Sequence, residues 1–286
     1  MILIKQLTNV SMEVIHKASV NAFSDYVEPF DLTIDQLTYM IERRGCDLNL
    51  SFGAFSGTEL VGFTLNGVGN WFGKRTVYDT GTGIIKEYRK QGIATKMFEE
   101  SLPVLRSNGI EYYLLEVIRT NTKAFDLYKK AGFKVLREFD YFDIEKNELR
   151  LHTKDLGDEF EFREIQNPDW QMMKTFWEFE PSWQNCIDSI NRKFEYFKIF
   201  GIFKNETLAG YGIIEPRTGD IPQLAVAKSF RRLGLGTNML KLLVSFAEGD
   251  EIRIINTAAE YEPFKKFAKS VNLEPGFGQY EMGLEL

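Results

Sequence analysis

Residues 84–95 read Ile84-Ile85-Lys86-Glu87-Tyr88-Arg89-Lys90-Gln91-Gly92-Ile93-Ala94-Thr95, and residues 226–237 read Val226-Ala227-Lys228-Ser229-Phe230-Arg231-Arg232-Leu233-Gly234-Leu235-Gly236-Thr237. Both follow one pattern: an apolar strand, an aromatic residue, an arginine, two further residues, glycine, one residue, then glycine or alanine. Backbone N–H groups at a helix N-terminus point outward unpaired, and the helix dipole adds positive potential, so such a turn suits a diphosphate. Gly92 and Ala94, or Gly234 and Gly236, keep side chains out of the anion's approach. Arg89 and Arg231 are expected to add a cation beside it.

Outward from the two turns, the whole element order repeats. The first half predicts a strand at Ile2–Leu7, helices at Met12–Ala22 and Thr33–Arg43, and strands at Leu50–Phe55, Glu59–Asn66 and Thr76–Ile85. A helix over Gln91–Ser107, a strand at Glu111–Ile118, a helix at Thr122–Ala131 and strand material from Phe133 to His152 follow. The second half predicts a strand at Phe160–Ile165, helices at Trp170–Phe179 and Trp183–Lys193, and a hairpin of Lys198–Phe203 with Thr207–Ile214. Then come Ile221–Ala227 (strand), Gly234–Glu248 (helix), Ile252–Asn256 (strand), Glu262–Ser270 (helix) and Gly278–Leu286 (strand). Strands alternating with helices imply an α/β fold, a mixed sheet with helices on its faces. The polar segment 154–158 reads as the linker, placing the domains at 1–153 and 159–286.

At 286 residues, 44% hydrophobic and 27% charged, the chain has the size and composition of two globular domains. A net charge of −6 argues against a nucleic-acid or anionic-membrane partner, which would need a basic face. Cys46 and Cys186 stand apart from any CxxC or Cys/His cluster, so neither a metal site nor a disulfide is expected. The start lacks a signal-peptide pattern and no segment has the apolar length of a membrane span, which gives the expectation of a cytoplasmic protein. The oligomeric state is left open.

The Arg-X-X-Gly-X-Gly/Ala turn after the fourth strand resembles the coenzyme A signature of the GNAT superfamily of N-acetyltransferases. Downstream, Asn121-Thr122-Lys123-Ala124-Phe125-Asp126-Leu127-Tyr128-Lys129-Lys130-Ala131-Gly132-Phe133 is similar to that family's Asn-X-X-Ala-X-X-Leu-Tyr-X-X-X-Gly-Phe. The resemblance covers nearly the whole chain as two tandem copies. It implies two GNAT-type domains, each a mixed, mostly antiparallel sheet whose central strand pair splays apart. It also implies acetyl-CoA as co-substrate and an amine, in a small molecule or a peptide, as acceptor, joined by direct attack in a ternary complex. Ile84, Ile85, Arg89, Lys90, Gln91, Gly92, Ile93, Ala94, Thr95 and Asn121 are then the expected CoA contacts. Val226, Arg231, Arg232, Gly234, Leu235, Gly236 and Thr237 would form a second CoA site.

Tyr128 is the expected acid, a phenol able to protonate the departing thiolate. Glu116 interrupts the apolar strand Tyr113-Leu114-Leu115-Glu116-Val117-Ile118, where a carboxylate is costly unless paired or facing a cleft, and is the preferred base. Asp79 on the neighbouring strand is the second candidate. Tyr26, Glu28, Phe30, Trp71 and Phe72 are expected to line the acceptor pocket. The second copy keeps the turn but has Ala268 where Tyr128 stands, Tyr261 for Asn121 and Asn256 for Glu116, so chemistry is expected in the first copy. Two alternatives stay open: a catalytic second copy, and a sensor of CoA or acyl-CoA without turnover.

Overall fold

The computed structural model describes residues 1–25 and 32–286. The expected pocket residues Tyr26, Glu28 and Phe30 lie outside the described residues. The first repeat contains β1 (Ile2–Gln6), α1 (Met12–Ala22), α2 (Ile34–Arg43), β2 (Phe52–Ser56), β3 (Glu59–Trp71), β4 (Lys74–Ile84), α3 (Ile93–Ser107), β5 (Tyr112–Ile118), α4 (Thr122–Lys130) and β6 (Lys134–Glu145). The second contains β7 (Phe160–Glu164), α5 (Trp170–Lys174), α6 (Ile187–Asn191), β8 (Lys198–Lys204), β9 (Thr207–Glu215), β10 (Asp220–Val226), α7 (Leu235–Phe246), β11 (Glu251–Ala258), α8 (Glu262–Ser270) and β12 (Gly278–Glu285).

Local signals account for most boundaries. Thr33 and Gln36 form a reciprocal capping box that starts α2, the Thr33 hydroxyl accepting from Gln36 N and the Gln36 side chain accepting from Thr33 N. The β8–β9 hairpin turns on Asn205 and Glu206, both at positive φ (47° and 64°), as a tight hairpin requires. The expected helices at Trp170–Phe179 and Trp183–Lys193 shrink to the five-residue α5, a 3₁₀ turn at Trp183–Asn185 and the five-residue α6. Cys186 is extended between the last two, and the short polar side chains of this stretch bond locally and across to strands instead of continuing a helix.

The chain divides into two compact units that do not follow the sequence boundary at 154–158. One unit takes residues 1–117, 121–136 and 281–286; the other takes 118–120 and 137–280. The strand order of the first unit is β1-β2-β3-β4-β5-β12, and that of the second is β6-β11-β10-β9-β8-β7. Each repeat has thus given its last strand to the other unit's sheet: the Leu286 N–H donates to Glu111 O at 3.0 Å, and β6 runs antiparallel to β11 from Glu145↔Glu251 to Phe139↔Ala258.

In the first unit Ile15, Ala18 and Ala22 of α1 pack on Phe63 and Leu65 of β3, while Ile93 and Met97 of α3 pack on Ala54 and Val61 across the other face. The second unit repeats this sandwich. Met239, Leu240 and Leu243 of α7 cover one face, and Met173, Phe176 and Ile190 cover the other against Tyr211 and Ile213. Parallel pairing joins β4 to β5 only from Thr76↔Tyr112 to Asp79↔Leu115, after which the strands part. In the second unit the parallel pairing of β10 with β11 is confined to Asp220↔Arg253. Both sheets therefore carry the expected splayed central pair.

Candidate active site and the two phosphate turns

In each unit a 3₁₀ turn (Lys86–Tyr88 or Lys228–Phe230) leads from the fourth strand to a glycine in the left-handed region, φ 74° at Gly92 and 98° at Gly234. α3 and α7 begin at these glycines with no side-chain cap, so their first N–H groups are available to an anion. A Cβ at Gly92 would have nothing within 4 Å, whereas at Gly234 it would meet the Lys154 stem at 3.2–3.3 Å. The space over the first turn is open, and that over the second is bordered by a lysine.

The two arginines of the turn do something other than expected. Arg89 Nε donates to Ile84 O at 3.0 Å, its NH2 donates to Ala22 O at 2.6 Å, and the guanidinium grips Asp25 at 2.7 and 2.9 Å. Arg231 repeats the arrangement, with Nε on Val226 O at 3.0 Å and NH1 on Glu178 at 2.8 Å. Both guanidinium groups are braces that fold the turn back on its own strand. The following residues, Lys90 (φ 61°) and Arg232 (φ 69°), are the cations of each turn left without an acid partner among the described residues.

Beside the first turn lies a cavity of about 410 Å³ lined by Ala94 and Thr95 at the start of α3, by Thr64, Asp79, Thr82, Tyr113 and Leu115 of the sheet, and by Tyr128 of α4. The Tyr128 hydroxyl donates to Asp79 Oδ2 at 3.2 Å, and the Thr82 hydroxyl donates to the same oxygen at 2.8 Å. Gly81 N donates to Asp79 Oδ1 at 2.9 Å. Burial raises the Asp79 carboxyl to about 6, against these three donors, which pull it down. Burial, and after it the neighbouring Asp79 charge, pushes the Tyr128 phenol well above its ordinary value, so it stays protonated. Its ring is pinned edge-on to Phe133, which Tyr113 and Phe98 also contact.

The pairing of Asp79 with Thr82 depends on a β-bulge. Leu65 pairs with Gly81 and Asn66 with Asp79, so Thr80 is an extra residue on β4. In a regular strand residues 79 and 82 would face opposite sides; one inserted residue turns them to the same side. Thr82 was not singled out in the sequence for that reason. The bulge is also anchored by buried Asn66, whose Nδ2 donates to Leu50 O and whose Oδ1 accepts from the Tyr113 hydroxyl at 2.9 Å.

The sequence model of the acetyltransferase (GNAT) family matches residues 19–133 and again 160–269. The chain belongs to the GNAT acetyltransferase family. A stretch of 50 residues, 18% of the chain, is 44% identical to N-alpha-acetyltransferase 30 of Schizosaccharomyces pombe and spans a third (33%) of that protein. Among solved structures, a tandem GNAT protein from the clavulanic acid biosynthesis pathway superposes with a TM-score of 0.73 at 14% identity, covering 100% of this chain and 98% of that one. A GCN5-related N-acetyltransferase from Sphaerobacter thermophilus gives 0.71 at 12% identity, covering 99% and 95%.

Within this GNAT frame, the expected site residues separate. Tyr128, Asp79, Ala94 and Thr95 meet at one cavity. Glu116 lies on the other side of β5, where it accepts a hydrogen bond from the buried Tyr78 phenol and helps push that phenol up. Asn121 caps α4, its Oδ1 accepting from Ala124 N at 3.2 Å. Trp71 and Phe72 form the tip of the β3–β4 hairpin, Trp71 buried and Phe72 exposed, and neither lines the cavity.

The second GNAT copy matches the first at the backbone and departs from it in chemistry. Phe133 N donates to Tyr128 O as Leu273 N donates to Ala268 O, which equates Tyr128 with Ala268. Arg89 and Arg231 bond Ile84 O and Val226 O alike, and counting back along the strands equates Asp79 with Ile221. Ile221 and Ala268 are both buried in one apolar cluster. Where the first copy holds a carboxylate and a phenol in contact, the second is filled with hydrocarbon. Its cavity is nonetheless the larger, about 850 Å³, running from Gly234, Gly236 and Thr237 to Trp177, Asn185, Tyr211 and Gln223.

Proposed function

We propose that the protein transfers an acetyl group from acetyl-CoA to an amine, with the chemistry in the first unit's cavity. The observation that carries this reading is the Tyr128–Asp79 contact at 3.2 Å in a cavity whose wall also includes Ala94 and Thr95 of the phosphate turn. A diphosphate on the N–H groups of Gly92, Ile93 and Ala94, with Lys90 beside it, would direct the acyl end of the donor along α3 toward Tyr128. Tyr128, held protonated by burial, gives its proton to the leaving sulfur. Asp79, with a carboxyl at about 6, is ionised at neutral pH and basic enough to take a proton from the incoming ammonium, which frees the neutral amine to attack the thioester carbonyl. Asp79 is preferred to Glu116 because it shares the cavity with Tyr128, while Glu116 faces Tyr78.

The acceptor class rests on the family and on the curated relative named for N-alpha-acetyl transfer, so peptide α-amines head the panel to test, followed by small primary amines. The test is CoA release from acetyl-CoA with each amine, repeated in Tyr128→Phe. Unchanged turnover in that variant removes the first unit's cavity from the reaction. A second reading, catalysis in the second unit, is favoured by that unit's larger cavity and opposed by Ile221 and Ala268.

A further inference from the structure

Two threonines stand behind the carboxylate of the first unit's cavity. Thr64 of β3 and Thr82 of β4 are cross-strand partners, both line that cavity, and their Oγ1 atoms lie 3.0 Å apart. An ionised carboxylate only accepts, so the single proton of the Thr82 hydroxyl goes to Asp79 Oδ2, at 2.8 Å. Within the threonine pair the donor is then Thr64. The result is a directed chain from Thr64 to Thr82 to Asp79 Oδ2, and the Tyr128 phenol reaches the same oxygen from α4. Hydrogen bonds in series polarise one another, so Thr64 strengthens the bond that Thr82 makes.

The second unit separates what the backbone needs here from what it does not. Its β10 carries a matching bulge, the register shifting between Asp220 and Gln223 as it does on β4 between Asp79 and Gly81. Leu224 pairs with Gly212 there, as Thr82 pairs with Thr64 in the first unit. The hairpin, the bulge and the glycine turn therefore form without a threonine at either place. Where the first copy has Asp79, Thr82, Thr64 and Tyr128, the second has Ile221, Leu224, Gly212 and Ala268. The two hydroxyls are present in the copy that has the carboxylate and absent from the copy that lacks it.

We propose that Thr82 and Thr64 are positioning residues for the base: their hydroxyl chain fixes the Asp79 carboxylate against Tyr128 and keeps it ionised where an amine still arrives protonated. For a peptide α-amine that means pH below about 8. The proposal rests on the reading that makes Asp79 the base. Burial works against the ionised form, and the Thr82, Tyr128 and Gly81 donors counter it. The surrounding elements add further groups. Arg44, at the end of α2, favours the charge and donates to Thr80 O at 3.0 Å. Tyr78 on β4, Tyr113 on β5 and Tyr128 on α4 are phenols that burial keeps protonated, with Glu116 behind Tyr78. Glu99 of α3 and Lys130 of α4 complete the cavity's charged wall.

The test follows Asp79 in the full-length protein by two readouts. One is the infrared band of its protonated carboxyl, identified as the band that Asp79→Asn removes; it needs no acceptor. The other is the acid limb of kcat/KM for CoA release from acetyl-CoA with a peptide α-amine. Thr82→Val keeps the shape and removes the hydroxyl. Carboxyl midpoint and acid limb should both move up from about 6 by about one pH unit, the effect of losing one hydrogen bond to a charged group. Thr82→Ser should restore both. Thr64→Val leaves Thr82 on Asp79 and should move both the same way by about 0.3 unit. An unmoved carboxyl midpoint in folded Thr82→Val makes the pair mere packing and overturns the proposal. Should Thr82→Val fail to fold, Thr64→Val decides on the same midpoint: an upward shift supports the chain and no shift overturns it. A midpoint that moves while the acid limb stays fixed upholds the hold of the threonines on Asp79 and overturns Asp79 as the base.

Discussion

At the scale of single residues the decisive pair is Asp79 and Tyr128. Tyr128→Phe keeps the ring against Phe133 and removes the proton, so kcat should fall roughly ten- to a thousandfold while acetyl-CoA affinity changes little. Steady-state kinetics with a binding titration read both quantities. The upward shift of Asp79 to about 6 sets a pH signature. Activity should decline as pH falls through about 6, when the base becomes protonated, and Asp79→Asn should abolish that limb together with most of the rate. The same shift has a stability consequence of opposite slope. The folded state holds this proton more tightly than the unfolded chain, so the contribution is full below about 4 and lost as pH rises through about 6. Thermal melts of wild type and Asp79→Asn against pH should converge at the acid end and diverge, in favour of the variant, above 6. Glu116→Gln should leave the pH–rate profile in place; loss of the limb in that variant would return the base to Glu116.

At the scale of elements, the glycine turn is braced by its own arginine. Arg89 ties the turn to the end of α1 through Asp25 and Ala22 O, and Arg231 ties the second turn to Glu178 in the same way. Asp25→Asn should therefore act on donor binding and not on the proton-transfer step: KM for acetyl-CoA should rise about three- to tenfold with kcat near wild type. A matching loss in kcat would place the brace in the reacting geometry itself. Sequence reading assigned Arg89 to the phosphate because an arginine beside a glycine turn has that use in general. The acid that claims it stands 64 positions away along the chain, and no local pattern joins the two.

At the scale of the whole molecule, the two repeats differ at the positions of Asp79 and Tyr128, where the second has Ile221 and Ala268, and they have exchanged their last strands. Gly92→Glu should abolish turnover and Gly234→Glu should leave most of it, because the acid and base contacts exist only beside the first turn among the described residues. The exchange of last strands has its own consequence. A fragment of residues 1–153 retains every first-copy motif but lacks residues 281–286, which pair beside β5, and its β6 lacks β11. That fragment should melt well below the full chain, or fail to fold, in a circular-dichroism melt; a stable, active fragment would show that β12 is dispensable to the first sheet.

The sequence alone determined the element order, the duplication, both glycine turns and the position of Tyr128. These are local properties: a left-handed glycine before a helix, hydrophobic periodicity and a fixed spacing are all written within about twenty consecutive residues. It also placed Asp79 among the candidates, as a carboxylate on a central strand. Only the tertiary structure decided that Asp79 and not Glu116 shares the cavity with Tyr128, since one bulge residue, Thr80, resets which side chains face together. Only the fold revealed that Arg89 is spoken for and that β12 completes the first sheet. A strand's alternation states which of its faces is buried. Its neighbour is chosen by the free edge it meets, and that edge is a property of the folded chain.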